Sequence, residues 1–303
     1  MSYSSEIKNE LCAQSVQQIK SCCALSELMG IILSSKHVSD EEILIYTENA
    51  TLVRHIFTLL KTALLIHSKI EIRKSGSGLY KVHVLGQENI NKIKSMIFGT
   101  EGNKIVTYRV NRSLIKSECC MKALLRGLYL GAGFISDPQK SYHFEIVTQR
   151  YNLSCDILEI LSKFYINAKV MRRKSNYVVY IKDSETIADV LAALNVYSGL
   201  MKFHNEKIMK EMKNDITRIV NCEQANIDKT VNASAKQTEA INKIKKTSGL
   251  QFLQEDLREI SELRLDNPEA SLAEIALLYS KPISKSGISH KFKRLQKMAE
   301  EIQ

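Results

Sequence analysis

The chain contains an internal duplication, and this feature limits its fold more than any other. The stretch "SCCALSELMGI" (21–31) is repeated as "ECCMKALLRGL" (118–128), with a Cys-Cys pair, a leucine and a glycine at matching positions. Further on, "HSKIEIRKS" (67–75) is repeated as "NAKVMRRKS" (167–175), and the offset changes by only a few residues. Self-similarity of this kind indicates a repeated structural unit, and about 100 residues is the size of a domain. We therefore expect two similar halves.

Each copy has the same order of predicted elements. An apolar helix (about 22–34 and 117–131) is followed by a strand, a second helix, a hairpin and a third helix near 88–98 and 184–194. The hairpin turns are predicted at a Ser-Gly-Ser-Gly stretch in the first copy and at Ser175-Asn176 in the second. This order predicts an α+β fold with an antiparallel sheet in each half.

The first helix of the second copy ends in a glycine-rich stretch. "LLRGLYLGAGF" (124–134) carries three glycines within seven positions. Glycine costs a helix roughly 1 kcal/mol relative to alanine, so these residues indicate close backbone approach. The stretch resembles the signature motif of the LAGLIDADG homing endonucleases, and residues 28–36 resemble a degenerate first copy. The resemblance implies that the two motif helices pack together, with Gly30, Gly127 and Gly131 at their interface.

The same resemblance implies that the nuclease chemistry is missing. In active members of that family the last acidic residue of each motif binds divalent metal, and the matching positions here are Ser35 and Ala132. Neither side chain supplies a carboxylate, so we expect no catalytic residue, no metal and no cofactor. One alternative stays open. Asp40 and Asp137 lie five residues beyond these positions and would be the metal ligands of an endonuclease, although Asp-Pro at 137–138 is typical of a turn.

A second resemblance covers most of the chain and is carried by residues 124–146, 221–244 and 267–295. These segments resemble the WhiA family of bacterial DNA-binding regulators, which join a degenerate LAGLIDADG module to a C-terminal helix-turn-helix. The resemblance implies transcriptional control tied to cell division, chromosome segregation or sporulation. It also implies association with the nucleoid, with double-stranded DNA and other regulatory proteins as partners. The lack of a signal-peptide pattern and the expected reduced cysteines indicate a cytoplasmic protein.

Four segments are predicted along the chain. They are a first LAGLIDADG-like half (1–105), a second half (106–200), a helical linker (201–248) and a helix-turn-helix DNA-binding domain (249–303). The linker contains no proline and has only a thin apolar stripe, which is typical of a solvated connecting helix or two. An arm that contacts DNA phosphates through its lysines is the alternative.

The last segment has the start and stop signals of a helix-turn-helix. Asn-Pro at 267–268 ends one helix, Ser271 and Glu274 form a capping box for the next, and Ser284 is placed to cap the last. The net charge of the chain is +10, and no acidic residue stands between Glu274 and Glu300. Because the second helix of this motif enters the major groove, the last helix is the expected reader of DNA.

Two faces of the last helix are distinguished by spacing. Ile288, Phe292 and Leu295 share one face and are predicted to be buried. The opposite face is polar and basic. We interpret Ser286, Ser289 and His290 as base-edge contacts, and Lys285, Lys293, Arg294 and Lys297 as phosphate contacts. An ordinary amphipathic surface helix is the alternative.

The hairpins of the two halves also carry basic residues at equivalent positions. These are Lys69, Arg73, Lys74, Lys169, Arg172, Arg173 and Lys174. They are either secondary DNA contacts that line a saddle or solubilising charge at strand ends. The chain has no run of about 20 apolar residues, so we expect no membrane partner.

Cysteine is used in an unusual way, as two adjacent pairs at 22–23 and 119–120 among seven cysteines in all. We expect reduced thiols. Structural zinc sites use Cys-x2–4-Cys spacing, and adjacent cysteines do not easily converge on one tetrahedral ion. The pairs are therefore predicted to be small buried residues, without a metal site.

Overall fold

A computed structural model describes residues 2–18, 20–35, 37–39, 41–66, 70–74, 78–98, 100–101, 104–105 and 108–302 of the protein. The chain forms two compact units, Met1–Lys210 and Glu211–Gln303. The division into four segments remains a prediction.

The first half of the N-terminal unit contains four α-helices and a four-stranded sheet. The helices are α1 (Tyr3–Gln18), α2 (Ser21–Ser34), α3 (Ala50–Leu64) and α4 (Gln87–Phe98). The strands are β1 (His37–Val38), β2 (Ile43–Thr47), β3 (Ile70–Lys74) and β4 (Tyr80–Val84). They form an antiparallel sheet in the order β1-β2-β4-β3. A two-stranded ribbon, β5 (Thr100–Glu101) and β6 (Lys104–Ile105), and a 3-10 turn (Arg112–Leu114) follow.

The second half repeats this arrangement. Its helices are α5 (Glu118–Ala132), α6 (Tyr151–Lys163) and α7 (Ser184–Ala193). Its strands are β7 (Gly133–Ile135), β8 (Phe144–Thr148), β9 (Lys169–Arg173) and β10 (Asn176–Ile181). They form an antiparallel sheet in the order β7-β8-β10-β9, equivalent to the sheet of the first half. The predicted α+β fold with an antiparallel sheet in each half is confirmed.

The structure differs from the predicted elements in a few places. Strands β1 and β7 and helix α1 were not predicted; the two strands have only two and three residues, too few to show an alternating pattern. The turn of the second hairpin consists of Lys174 and Ser175, one residue earlier than predicted, because Asn176 pairs with Arg173 in the ladder. Lys174 adopts a left-handed backbone conformation with φ of 56°. Of the first hairpin turn, residues 75–77 lie outside the described residues.

The starts of two helices in the N-terminal unit are fixed by side chains. The Asn49 side chain accepts hydrogen bonds from the backbone N–H groups of Thr51 and Leu52 and caps α3. In the second half, Asp183 caps α7 by accepting from the Thr186 N–H at 2.8 Å. Such caps pair backbone donors that have no partner within the helix.

Helices α2 and α5 form the centre of this unit. A Cβ added at Gly30 would lie 2.5 Å from the carbonyl oxygen of Leu124 and 2.6 Å from the amide nitrogen of Leu128. A Cβ at Gly127 would overlap the Glu27 carbonyl oxygen, and one at Gly131 would overlap the Ser34 hydroxyl. The two backbones therefore approach each other most closely at Gly30 and Gly127, where only glycine fits.

A buried ionic cluster lies beside this contact. The Glu27 carboxylate is fully buried; its Oε1 is 2.6 Å from Nε2 of His55, and its Oε2 is 3.4 Å from Nε of Arg126. A buried carboxylate needs partners of this kind, because its desolvation is costly when it is left alone. Glu27 thus connects α2 with α3 and with α5.

The C-terminal unit is helical. Helix α8 (Tyr197–Thr247) begins in the first unit and ends in the second. It is followed by a 3-10 turn (Leu250–Phe252) and three helices, α9 (Glu255–Asp266), α10 (Leu272–Leu278) and α11 (Lys285–Glu301). The predicted linker is thus part of one helix of 51 residues, and residues 211–229 are all exposed. Its later residues Ala240, Ile241 and Ile244 belong to the hydrophobic core that α9, α10 and α11 share.

We predict that two glycines of α5 differ in how far replacement by alanine destabilises the first unit. Gly127→Ala should lower the free energy of unfolding of the first unit by about 3 kcal/mol, because the new methyl group meets backbone that cannot move aside. Gly131→Ala should cost about 1 kcal/mol or less, since the nearest atom is the rotatable Ser34 hydroxyl. Denaturant unfolding measures both. Equal losses of unfolding free energy in the two variants would show that contact with the α2 backbone does not determine how α5 packs.

Candidate nucleic-acid interface

Three helices make up the predicted helix-turn-helix, and side chains cap the starts of the last two, α10 and α11. The Ser271 hydroxyl accepts from the Glu274 N–H at 3.3 Å, and the Glu274 carboxylate accepts from the Ser271 N–H at 2.7 Å. The predicted capping box is thereby confirmed. Ser284 caps α11 by accepting from the Gly287 N–H at 3.2 Å, also as predicted. Residues 279–284 form the connection between α10 and α11, which is longer than the three or four residues usual in this motif.

The buried face of α11 is the predicted one. Ile288, Phe292 and Leu295 are almost completely buried in the core of the C-terminal unit. This burial fixes the rotation of the helix about its own axis. The polar residues on the opposite side of the helical wheel are therefore held outward.

All seven predicted contact residues of α11 are accessible. Ser289 is half-buried, and the remaining six are exposed: Lys285, Ser286, His290, Lys293, Arg294 and Lys297. Within the described part of the chain, none of the four cations among them forms an ion pair. The Ser286 hydroxyl lies 2.8 Å from that of the capping residue Ser284. Near the start of the helix, this face therefore presents hydroxyl and imidazole groups surrounded by unneutralised positive charge.

Lys291 behaves differently from the other lysines of this helix. Its ammonium group forms an ion pair with the carboxylate of Asp256 at the start of α9. The hydrogen bond from Lys291 lowers the pKa of the Asp256 carboxyl below its usual range. Lys291 thus ties α11 to α9 and is not part of the outward basic face.

Arg264 is a structural residue of this unit that no sequence pattern indicates. Its side chain is 1% exposed, and its Nη1 donates to the carbonyl oxygen of Ala270 at 2.6 Å. Its guanidinium lies 5.1 Å from the ring centroid of Phe292. Burial lowers the pKa of Arg264. The residue joins the turn between α9 and α10 to the buried face of α11.

A cleft of about 430 Å³ lies in the first unit at the C-terminal ends of the motif helices. Its lining includes Ser34 and Ser35 from the first copy and Gly131 and Ala132 from the second. No carboxylate is among the described residues that line it. The Ser35 hydroxyl donates to the carbonyl oxygen of Leu44 at 2.6 Å. The donors here do not fit a pair of divalent cations, which require several oxygen ligands with negative charge.

Arg150 supplies the positive charge of this cleft, and no sequence pattern predicts it. Its Nη1 donates to the carbonyl oxygen of Leu33 at 2.8 Å, and its guanidinium lies 4.3 Å from the centroid of the Tyr108 ring. Burial lowers the pKa of this group. The cleft therefore presents a cation and, among its described lining residues, no carboxylate.

Of the two alternative acidic residues, Asp40 lies outside the described residues. Asp137 is half-buried and belongs to a turn. Its Oδ1 accepts from the N–H of Gln139 at 3.0 Å, and its carbonyl oxygen accepts from the N–H of Lys140 at 2.9 Å. Asp137 is not among the residues that line the cleft. These contacts fit the turn interpretation of Asp137-Pro138.

The basic residues of the second hairpin do not share one face. All residues of β9 are exposed, but Lys169 and Arg173 lie on one side of the strand and Arg172 on the other. Lys174 lies in the turn. The Arg173 guanidinium donates to both carboxylate oxygens of Glu145, at 3.0 and 3.2 Å, and is therefore the residue of this group least free to bind phosphate.

The structure describes fewer residues of the equivalent hairpin in the first half. Lys69 lies outside the described residues. In the ladder, Arg73 is paired with Lys81 and Lys74 with Tyr80.

Comparisons with known proteins agree with this architecture. The model of the WhiA LAGLIDADG-like domain matches residues 121–213, and that of the WhiA C-terminal HTH domain matches residues 216–299. The chain is thus a helix-turn-helix protein with a LAGLIDADG-like module. A probable cell division protein WhiA from Clostridium tetani is 38% identical over 100% of this chain and 98% of its own length. The chain belongs to the WhiA family of cell division proteins.

Two further relatives extend the similarity. A probable cell division protein WhiA from Clostridium botulinum strain Eklund 17B is also 38% identical, over 100% of this chain and 99% of its own. The crystal structure of full-length DUF199/WhiA from Thermatoga maritima is 28% identical, with a TM-score of 0.59, and covers 100% of this chain and 99% of its own. Among the described residues, no helix is both long and apolar enough to cross a bilayer.

Arg264→Ala should lower the free energy of unfolding of the C-terminal unit by about 3 kcal/mol, because it leaves the half-buried Ala270 carbonyl without its donor and opens space beside Phe292. The control is Arg258→Ala on the same helix, for which we expect a change within about 0.5 kcal/mol. Thermal unfolding of the two variants measures the difference. Similar melting temperatures would show that Arg264 does not support the turn.

Proposed function

We propose that this protein is a sequence-specific, double-stranded DNA-binding regulator of transcription that acts in cell division, chromosome segregation or sporulation. The outward face of α11 carries this proposal. It combines unpaired cations with hydroxyl and imidazole groups on a helix whose rotation is fixed by its buried face. The curated relatives are named as cell division proteins, which supports the cellular role. A regulator of this kind acts on the nucleoid in the cytoplasm.

Recognition in this proposal follows the geometry of the helix-turn-helix. Residues near the start of the recognition helix meet base edges in the major groove, while residues beside them meet the backbone. Ser286, Ser289 and His290 are the proposed base contacts. The proposed phosphate contacts are Lys285, Lys293, Arg294 and Lys297.

The N-terminal unit is proposed to act without catalysis. The cleft at the ends of the motif helices offers Arg150 and no carboxylate among its described lining residues, which supports this view. On the second hairpin, Lys169, Arg172 and Lys174 are the proposed secondary DNA contacts, with Arg173 held by Glu145. Lys69, Arg73 and Lys74 are their counterparts in the first half. Other regulatory proteins are the alternative partners of this unit.

The proposal is tested by selecting bound fragments from a genomic library with the full chain and with the double variant His290→Ala, Lys293→Ala. We expect selective binding by the wild-type chain without added metal and its loss in the double variant. Lys236→Ala is the charge control, because it removes one exposed lysine from α8 outside the proposed surface. Unchanged selectivity in the double variant would place recognition elsewhere in the chain.

Phosphate contacts and base contacts differ in their dependence on salt. Lys293→Ala and Arg294→Ala should each reduce the slope of log affinity against log salt concentration by about 1, and should weaken all DNA sequences alike. Loss of one base contact through His290→Ala should cost about 1–3 kcal/mol at the selected site and much less on random DNA. Fluorescence anisotropy over a salt series measures both effects. A binding affinity independent of salt would point to a protein partner.

A metal-dependent endonuclease that uses Asp40 and Asp137 is the competing function. The double variant Asp40→Asn, Asp137→Asn separates the two hypotheses in a cleavage assay with Mg²⁺ or Mn²⁺. A DNA-binding regulator shows no cleavage before or after the change. Cleavage by the wild-type chain that disappears in the variant would establish the enzyme.

A further inference from the structure

The two Cys-Cys pairs lie at equivalent places on the two motif helices. Helix α2 begins at Ser21 and α5 at Glu118, so each pair fills the second and third positions of its helix. Because α2 and α5 pack against each other, their first turns are neighbours. The duplication thus converts one adjacent pair into a cluster of four thiols, Cys22, Cys23, Cys119 and Cys120.

The sulfur atoms of this cluster are close together. Sγ of Cys23 lies 3.4 Å from Sγ of Cys119 and 4.0 Å from Sγ of Cys22. The sulfur atoms of Cys22, Cys23 and Cys120 all lie within 4.8 Å of one another. In a tetrahedral site with metal–sulfur bonds of about 2.3 Å, the sulfur atoms are about 3.8 Å apart. The separations of 3.4 and 4.0 Å bracket this value. The Cys119 sulfur is close to that of Cys23 but lies outside the group of three, so a rotation of its exposed side chain would complete a four-sulfur site.

The expectation that these cysteines hold no metal considers one helix at a time, and the structure places a second helix beside it. The side chains of adjacent cysteines on a single helix point in different directions, which argues against binding of one ion by a single pair. In the structure the cysteines come from two helices: Cys120 of α5 lies beside the Cys22-Cys23 pair of α2, and the Cys119 sulfur contacts that of Cys23. Burial is also less uniform than expected: Cys23 and Cys120 are buried, Cys22 is half-buried and Cys119 is exposed.

We propose that Cys22, Cys23, Cys119 and Cys120 together bind one thiophilic divalent cation, Zn²⁺. Four thiolates are the ligand set that structural zinc sites use, and no further ligand is required. In the described part of the chain, no other group of three or more metal-ligating side chains is this close together. The cation would join the starts of the two motif helices, and with them the two halves of the unit.

Several features around the cluster favour thiolate ligands, while burial raises the pKa of the Cys23 thiol. Both pairs lie in the first turn of a helix, where the helix dipole stabilises negative charge. The Ser117 hydroxyl lies 3.1 Å from Sγ of Cys119 and 3.4 Å from Sγ of Cys120, so it can donate to a metal-bound sulfur. Ala123 and Ile115 pack against the buried side of the cluster, and the exposed Cys119 leaves a path for the ion.

The binding step involves no change of oxidation state. Each thiol that binds loses its proton to solvent and forms one zinc–sulfur bond, so a four-coordinate site releases up to four protons. A disulfide between Cys23 and Cys119 is the competing chemistry for the closest pair. It would join two of the four sulfurs, require an oxidant and leave Cys22 and Cys120 without a role.

The test is a metal titration of the reduced full-length chain, first with Co²⁺ as a spectroscopic probe and then with Zn²⁺ in competition. We expect one equivalent of Co²⁺ to give the intense visible absorption of tetrahedral thiolate coordination, and Zn²⁺ to bleach it. Cys119→Ala should weaken binding by roughly 100-fold or more, and Ser117→Ala by about 10-fold, because it removes only a hydrogen bond to the ligands. Cys155→Ala and Cys222→Ala are the controls and should bind like wild type.

Circular dichroism shows whether each variant is folded. Where a variant is unfolded, the Co²⁺ titration of the wild-type chain still tests the proposal. No Co²⁺ absorption with the reduced wild-type chain would overturn the proposal. Equal metal uptake by wild type and Cys119→Ala would overturn it as well. A Cys23–Cys119 disulfide, seen by peptide mapping in a chain that takes up no metal after reduction, would assign the cluster to disulfide chemistry instead.

Discussion

The contact between α2 and α5 is the interaction on which the N-terminal unit depends. Gly30 and Gly127 allow the two backbones to meet at a distance that no Cβ would permit. The leucines and isoleucines on either side then form a hydrophobic core that continues through both halves. The buried Glu27 carboxylate, held by His55 and Arg126, occupies the same contact. A change that separates the helices would expose this charge and open the core together.

The two ends of this helix pair have different chemistry. At the C-terminal ends, Ser35 and Ala132, which the motif resemblance matches to metal-binding acids, line a cleft together with Arg150. At the N-terminal ends, the sulfur atoms of Cys22, Cys23 and Cys120 lie within 4.8 Å of one another, and that of Cys119 lies 3.4 Å from that of Cys23. The duplication explains both features, because any residue near one end of a motif helix has a counterpart close to it in the other copy. In our account the module is a scaffold, and DNA is read by α11 of the C-terminal unit.

Much of the fold follows from the sequence because its causes are local or repetitive. The duplication predicts two equivalent sheets, and helical spacing predicts the buried positions Ile288 and Phe292 of α11. The short strands β1 and β7 escape prediction, since their pairing depends on the neighbouring strand rather than on their own pattern. The convergence of the cysteine pairs is missed for the same reason. It is produced by the packing of two helices that are 96 residues apart at Cys23 and Cys119.

The candidate site was also only partly predictable. The helical wheel correctly identifies the outward-facing residues of α11 as accessible to solvent. It cannot show which charged side chains are already neutralised by ion pairs. Asp256 holds Lys291 and Glu145 holds Arg173, and both partners come from other secondary-structure elements. Arg264 looks like an ordinary charged residue of α9 in the sequence, yet it is buried against Phe292.

The most direct measurement is a crystal structure of the full chain bound to its selected DNA fragment. Our account predicts that the start of α11 lies in the major groove, with Ser286 and His290 at base edges and Lys293 and Arg294 at phosphates. A complex in which α11 faces away from the DNA, with the bases read by the hairpins of the N-terminal unit, would contradict it.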